Sequence, residues 1–165
     1  MKNYSVELPI LTRDGIFLAH YSEKGLTGLN FPANGSRACE SADLAQIPAK
    51  IRKWHRTTES TLKNILTGRK PNEFPPLDLT GTEFQKSVWN ALRKISTGKT
   101  KSYGEIAVAI GKPKAVRAVG GACGANPVPV LVPCHRVLAA NKKLGGFSGG
   151  LDWKRSLLKR EGVQL

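Results

Sequence analysis

The sequence is poor in cysteine, in acidic residues and in long hydrophobic runs, and each shortage excludes a class of protein. Its 165 residues include three cysteines, Cys39, Cys123 and Cys134. An odd and small number of cysteines does not build a disulfide framework, so we expect a reducing compartment, the cytoplasm or, in a eukaryote, the nucleus. No run approaches the roughly 18 apolar residues of a membrane span, and residues 1–7 lack the apolar core of a signal peptide.

The shortage of acidic residues is concentrated in one half of the chain. Residues 1–76 carry 11 Lys and Arg against 7 Asp and Glu, whereas residues 77–165 carry 15 against 5, which together give the net charge of +14. A basic surplus confined to one half is typical of a protein that binds a polyanion. The charge carries no information about base sequence, because phosphate contacts position a protein without identifying bases.

The first half has the pattern of a small antiparallel sheet followed by a helix. Two apolar segments, Gly15–Tyr21 and Gly25–Phe31, predict a β-hairpin, and Val6–Leu11 predicts a third strand. Residues 32–48 show no clear period and are interpreted as a loop. The segment from Lys50 to Leu66 is predicted to be a helix that ends at Gly68.

Three prolines mark the boundary that we predict between two domains. Pro71, Pro75 and Pro76 follow the predicted helix closely, and the change in charge begins at the same place. We therefore expect an N-terminal α/β domain over residues 1–76 and a second domain over residues 77–165.

Two capping boxes define helices in the second half. Thr82 with Gln85 opens a helix whose apolar positions continue to Ile95, and Ser102 with Glu105 opens another. The predicted helices are those starting after Thr82 and ending before Gly98, Tyr103–Ile110, Lys114–Ala122 with Pro113 at its first position, and 152–161. The two short helices joined by residues 111–113 predict a helix-turn-helix.

The helix predicted over residues 114–122 is unusually smooth. It contains adjacent glycines, Gly120 and Gly121, although glycine inside a helix costs about 1 kcal/mol relative to alanine. Tight helix packing is one explanation, and close approach to a bulky partner is the other. A helix of small residues with a single arginine, Arg117, favours binding of a backbone or minor groove over base-specific contact. A helix-turn-helix transcription regulator is the alternative, and the scarcity of polar base-contacting residues argues against it.

A cysteine beside a histidine is the candidate for chemistry. The sequence Pro133-Cys134-His135-Arg136-Val137 follows the apolar run 128–132, which we interpret as a buried strand. A thiol becomes a nucleophile when a neighbouring base or cation favours the thiolate. A small core cysteine is the ordinary alternative, and a Cys-His hydrolase is another, although it would leave the basic second half unexplained.

Five motifs in order resemble the O6-alkylguanine-DNA alkyltransferases. They lie within residues 77–163 and comprise 102–107 (SYGEIA), 117–122 (RAVGGA), 126–129 (NPVP), 133–137 (PCHRV) and 146–150 (GFSGG). The resemblance implies an α+β fold: an N-terminal antiparallel sheet with a helix, on a ribonuclease H-like plan, and a mainly helical C-terminal domain with a winged-helix-like helix-turn-helix.

The resemblance also implies a single-turnover reaction. Cys134 would accept the alkyl group from O6 of guanine, and also from O4 of thymine, and the protein would be consumed. His135 would deprotonate Cys134 through a water, Glu161 would orient His135, and Asn126 would brace the turn before the cysteine. A damage sensor of the same fold would lack the nucleophile, whereas Cys134 is present.

The remaining implied roles concern the base and the DNA. The residues implied to contact the base are Tyr103, Val137, Ser148 and Phe147. Many relatives have tyrosine at the position of Phe147. Arg117 is implied to enter the base stack of the DNA. The other residues implied to contact DNA are Tyr103, Ala118, Lys114, Gly121 and Arg136. The expected partner is double-stranded DNA, bound by a monomer through the minor groove with little sequence preference. No cofactor is required, and His20, His55 and Cys39 lack the spacing of a zinc site.

Overall fold

The N-terminal part of the chain forms a three-stranded antiparallel sheet. The computed structural model describes residues 5–33 and 44–165, and its first strands are β1 (Val6–Thr12), β2 (Gly15–Tyr21) and β3 (Leu26–Asn30), paired in the order β1-β2-β3. Phe17, Ala19 and Tyr21 are buried at every second position of β2, because successive side chains of a strand point to opposite faces. All three predicted strands are confirmed.

One long helix covers the buried face of this sheet. Helix α1 (Ala49–Leu66) buries Ile51, Leu62 and Ile65, and Gly68 at φ 73° follows its end as predicted. The predicted loop 32–48 contains a short 3-10 helix at Leu44–Gln46. Residues 34–43, with Cys39, lie outside the described residues, so the loop prediction there stays a prediction.

Both predicted capping boxes are present. Thr82 opens α2 (Glu83–Leu92) and Ser102 opens α3 (Tyr103–Ala109), each with the reciprocal side-chain bonds of a capping box. The predicted continuation of α2 to Ile95 is wrong. After Leu92 the α-helix gives way to a tighter turn, in which the amide of Ile95 donates to the Leu92 carbonyl, three residues back, at 3.0 Å. Ile95 is nevertheless buried, so its apolar character reflects the core and not the helix.

The last two helices are α4 (Val116–Gly124) and α5 (Leu151–Arg160). Helix α4 begins two residues later than predicted, because Pro113 and Lys114 lie in the turn that joins it to α3. Pro113 is therefore not the first helical residue. Helices α3 and α4 pack against each other as the predicted helix-turn-helix, and Glu161 caps the C-terminal end of α5.

The apolar run 128–132 is a buried turn, which makes the predicted strand wrong. The amide of Val132 donates to the Val128 carbonyl at 2.9 Å, and Val130 has a left-handed φ of 74°. All five residues are buried, so the run is apolar because it lies in the core. The strands of this region are β4 (Lys101–Ser102) and β5 (Val137–Leu138), which pair in parallel.

The two halves of the chain share a core. Phe31 from the segment after β3 packs on Phe147 and on Trp153 of α5, with ring centroids 5.6 and 5.0 Å apart. The amide of Leu26 donates to the Pro76 carbonyl at 2.8 Å. The division into domains at residues 76 and 77 stays a prediction. Within the described ranges, no helix combines the length and the apolar character needed to cross a membrane.

Candidate active site

Cys134 lies at the floor of a half-open cavity of about 800 Å³. It begins a short 3-10 turn, Cys134–Arg136, between the buried turn 128–132 and β5. The residue is only 4% exposed. The cavity is also lined by residues of α4, by Tyr103 of α3 and by the glycine-rich loop 145–150. The Cys134 thiol is thus presented, together with Cys123 on the cavity wall, to a space large enough for a small ligand.

Asn126 ties this thiol to the end of α4. Its side-chain amide donates to Sγ of Cys134 at 3.2 Å and to the Val132 carbonyl at 2.8 Å, while its oxygen accepts from the Val128 amide at 3.0 Å. Burial raises the pKa of the Cys134 thiol, and the Asn126 hydrogen bond and the Lys154 charge oppose that rise. The thiol is therefore neutral at rest and needs a base to become a thiolate.

His135 and Glu161 form a buried pair next to that thiol. Nε2 of His135 donates to Oε1 of Glu161 at 2.9 Å, and the two side chains are 0% and 1% exposed. Because a carboxylate only accepts, the proton belongs on Nε2 and Nδ1 keeps its lone pair. Nδ1 is buried and has no hydrogen-bond partner among the described residues. Burial lowers the pKa of His135, against the opposing effect of Glu161, so the ring is a neutral base.

Arg136 holds Glu161 from the other side, and the predicted contact of Arg136 with DNA stays a prediction. Its Nε donates to Oε2 of Glu161 at 2.9 Å and its Nη2 to Oε1 at 2.8 Å. Its Nη1 donates to the Ile95 carbonyl at 2.6 Å, and the residue is buried. Burial alone would raise the pKa of Glu161, but the hydrogen bonds from His135 and Arg136 lower it to about 2.

Lys154 is a site residue that the sequence analysis missed. It is fully buried on α5, and Nζ donates to the Val137 carbonyl at 2.7 Å and to the Gly146 carbonyl at 3.2 Å. It therefore joins β5 to the glycine-rich loop on the cavity wall. The available signal was its place on the apolar stripe of the last helix, three and four residues before Leu157 and Leu158, where a lysine needs a specific partner.

The cavity brings together most of the residues predicted to contact the base. Its lining includes Tyr103, Phe147, Ser148, Lys114 and Arg117. A side chain at residue 145 would collide with the Tyr103 hydroxyl, so the glycine there, at φ 67°, permits the close approach of that ring. Val137 lies behind the wall, and its carbonyl accepts from Lys154.

The outer face of α4 is exposed beside this cavity. Arg117, Ala118 and Gly121 are exposed there, and Lys114 is exposed in the preceding turn. No side chain would be crowded at Gly121, where an added Cβ meets nothing within 4 Å. Tight packing therefore does not explain this glycine, and the contacts of α4 with DNA stay a prediction. Across the described ranges, no cluster of potential metal ligands is present; Cys39 lies outside them.

Comparison with known proteins identifies the family. Residues 83–163 match the family model described as "6-O-methylguanine DNA methyltransferase, DNA binding domain". A methylated-DNA–protein-cysteine methyltransferase of Methanosarcina acetivorans is 45% identical over 148 residues, which cover 90% of this chain and 92% of that protein. The chain belongs to this methyltransferase family. The resemblance found in the sequence and the expected α+β fold class are both confirmed.

Solved structures of the family agree over nearly the whole chain. The crystal structure of Mycobacterium tuberculosis OGT in complex with DNA has a TM-score of 0.76 and 38% identity, and covers 94% of this chain and 91% of that one. An O6-methylguanine DNA methyltransferase of Methanococcus jannaschii has a TM-score of 0.69 and 28% identity, with 96% and 95% covered. The methyltransferase family therefore extends across both halves of the chain.

Proposed function

We propose that Cys134 is the cysteine of this methyltransferase that receives the alkyl group. As a member of the family, the protein repairs DNA by moving an alkyl group directly and irreversibly from DNA to one of its own cysteines. The observation that carries the assignment to Cys134 is the arrangement at the cavity floor. There Cys134 is followed by His135, whose buried Nε2 donates to Oε1 of Glu161 at 2.9 Å. The other ring nitrogen of His135, Nδ1, has no hydrogen-bond partner among the described residues and is free to accept a proton.

The reaction follows from this geometry. His135 takes the thiol proton on Nδ1, through a water as in the family that the sequence resembles, while Glu161 stabilises the imidazolium that forms. The Cys134 thiolate then attacks the alkyl carbon. The carbon–oxygen bond breaks, its electron pair stays on O6 of guanine, and the guanine gains one proton, which balances the proton that His135 took from the thiol. A thioether offers no leaving group, so each molecule acts once.

The cavity is the pocket that receives the damaged base. Because O6 lies within the duplex, the nucleotide must rotate out, at a cost of a few kcal/mol. Tyr103, Phe147 and Ser148 line the space it would enter. Val137 is buried behind the cavity wall, and its carbonyl already accepts from Lys154 at 2.7 Å, so the contact of this carbonyl with the guanine edge stays a prediction.

DNA is the partner of this protein, and we assign the contact to α4. The exposed small residues Ala118 and Gly121 let the helix approach the minor groove closely, with Arg117 and Lys114 at the mouth of the cavity. We further propose O6-alkylguanine in duplex DNA as the substrate, with O4-alkylthymine as a second one. The protein would act as a monomer without a cofactor, in the cytoplasm or, in a eukaryote, in the nucleus, where the thiol stays reduced.

Intact mass spectrometry tests the assignment of Cys134. We expect the protein mixed with duplex DNA containing O6-methylguanine to gain one methyl group per molecule, located on Cys134 by peptide mapping, with no further gain when more DNA is added. Undamaged DNA of the same sequence is the control. Methylation of Cys123 or Cys39, or continued demethylation by a small amount of protein, would contradict the proposal.

Replacing Arg117 with alanine should slow the reaction on duplex DNA by about tenfold or more, since an inserted side chain offsets a flipping cost of a few kcal/mol. The rate on a free O6-alkylguanine base should be unchanged, because that reaction needs no flipping. Single-turnover rates on both substrates measure the difference. Arg155, exposed on α5 away from the cavity, supplies the matched control, Arg155→Ala. Equal losses on both substrates would place Arg117 in the base pocket instead.

A further inference from the structure

The end of α5 is anchored to the first hairpin of the protein. Nη1 and Nη2 of Arg160 donate to the two carboxylate oxygens of Asp14 at 2.7 and 2.6 Å, and Nη1 also donates to the Leu66 carbonyl at 3.0 Å. A planar guanidinium facing a carboxylate through two bonds fixes orientation as well as distance. Arg160 is thus held by both the β1–β2 turn and the end of α1.

The anchor itself is rigid. The hydroxyl of Thr12 accepts from the Asp14 amide at 3.1 Å and donates to the Gly15 carbonyl at 2.8 Å, which closes the turn around Asp14. On the other side, the absence of a side chain at Gly68 brings the end of α1 against the Arg160 backbone, where an added Cβ would overlap the Arg160 carbonyl. The position of residue 160 is therefore determined by the N-terminal half.

The residue after this anchor is Glu161, which makes the contact with His135. Glu161 caps α5, and a carboxylate at a helix C-terminus is opposed by the helix dipole. Helix ends also fray readily. A carboxylate that must stay within 2.9 Å of His135 in such a position needs support from outside the helix. Arg136 and the Gly98 amide hold the carboxylate group of Glu161 itself, but neither contact fixes the end of the α5 backbone from which that side chain projects.

We propose that Asp14 is a positioning residue for the methyl transfer: through Arg160 it holds the end of α5 so that Glu161 keeps its contact with His135. This inference rests on the proposed role of Glu161 in orienting His135. It gives the N-terminal sheet, which contributes no residue to the cavity lining, a specific task in the reaction.

The charged groups around Asp14 and around Glu161 determine how the reaction rate should depend on pH. Asp14 faces Arg160, and Arg13, Lys63 and Arg69 line the same depression, with Lys63 paired to Glu59 at 2.6 Å. Glu161 faces His135 and Arg136. The carboxylate of Glu161 opposes the lowering of the His135 pKa. A displaced Glu161 would therefore make His135 a weaker base.

The test uses Asp14→Ala and Asp14→Asn, with Asp152→Asn on α5 as the matched control, because Asp152 forms only an exposed pair with Arg155. The single-turnover rate is measured on a free O6-alkylguanine base, which removes DNA binding from the comparison. We expect Asp14→Ala to lower the rate about tenfold near neutral pH, since small misplacements of a catalytic group have effects of this order. The deficit should shrink as the pH rises toward the pKa of the thiol, where a base is no longer needed.

A double-mutant cycle separates positioning from general support. In a Glu161→Gln background, Asp14→Ala should cause no further loss, because the residue through which Asp14 acts has been disabled. Full additivity of the two losses, or a deficit that is the same at every pH, would overturn the inference, and so would an Asp14→Ala variant that keeps the full rate. If Glu161→Gln itself keeps the full rate, the proposed role of Glu161 fails first. Should Asp14→Ala not fold, the pH profile of Asp14→Asn decides.

Discussion

Replacing Cys134 with alanine is expected to abolish alkyl transfer completely while DNA binding is retained. In the proposed reaction the thiol supplies the atom that forms the new bond, whereas we assign the affinity for DNA to the basic surface around α4. The substitution removes one sulfur atom from a buried position that is 4% exposed, and we expect the fold to tolerate it. Intact mass after incubation with O6-methylguanine DNA and a binding isotherm on the same duplex measure the two properties.

Cys123→Ala is the matched control for this prediction. Cys123 is buried in the same cavity wall, and burial is the main reason that its pKa is raised to about 12. Burial also raises the pKa of Cys134, but Cys134 is adjacent to His135, which is the base proposed to take its proton. The variant should still gain one methyl group. A methylated Cys134→Ala protein, or a loss of DNA binding in that variant alone, would show that Cys134 has been given the wrong role.

Replacing Arg136 with methionine is expected to destabilise the protein by about 3–5 kcal/mol, the usual cost of removing one partner from a buried ion pair. The reason is Glu161, whose side chain is 1% exposed and would keep a buried negative charge with only the neutral His135 ring and the Gly98 amide as hydrogen-bond donors. Denaturant unfolding at neutral pH measures the loss. Arg136→Lys should lose less, since it keeps the charge but not the two-pronged geometry.

The pH dependence identifies the mechanism of this loss. In the native protein the pKa of Glu161 is lowered from 4.5 to about 2. Its contribution to stability is therefore present above pH 4.5 and is lost as the pH falls toward 2. In Arg136→Met we expect the pKa of Glu161 to rise. The difference in unfolding free energy between the variant and the native protein should therefore shrink as the pH falls from 4.5 toward 2. Arg155→Met, at an exposed pair on α5, should change stability by less than about 0.5 kcal/mol. A difference that is independent of pH would point to lost packing instead.

The local signals in the sequence were sufficient for most of the fold. The apolar segment Gly15–Tyr21 predicted β2, and the capping boxes at Thr82 and Ser102 predicted the starts of α2 and α3, because each of these patterns is determined by residues a few positions apart. The run 128–132 was misinterpreted since a buried turn and a buried strand have the same apolar composition. What distinguishes them is the Asn126 side chain, which replaces strand partners with its own hydrogen bonds.

The site was predictable where its residues are adjacent and unpredictable where they meet across the chain. Cys134 and His135 are neighbours, and the motif around them is specific. Arg136 carries a charge that the sequence alone assigns to the surface, and only the fold shows that it faces Glu161. Lys154 was missed for the same reason, because its partners at Val137 and Gly146 are distant in sequence.

The anchor between Asp14 and Arg160 joins a residue made early in synthesis on the ribosome to one made late. The chain emerges from its N-terminal end, so the hairpin that carries Asp14 is made long before α5, and Cys134 is translated before Glu161, the residue proposed to orient His135. The Cys134 thiol is therefore present for a time before Glu161 can hold His135. In the proposed mechanism, a nascent chain without α5 lacks Glu161, so its Cys134 is expected to be a weaker nucleophile until that helix docks.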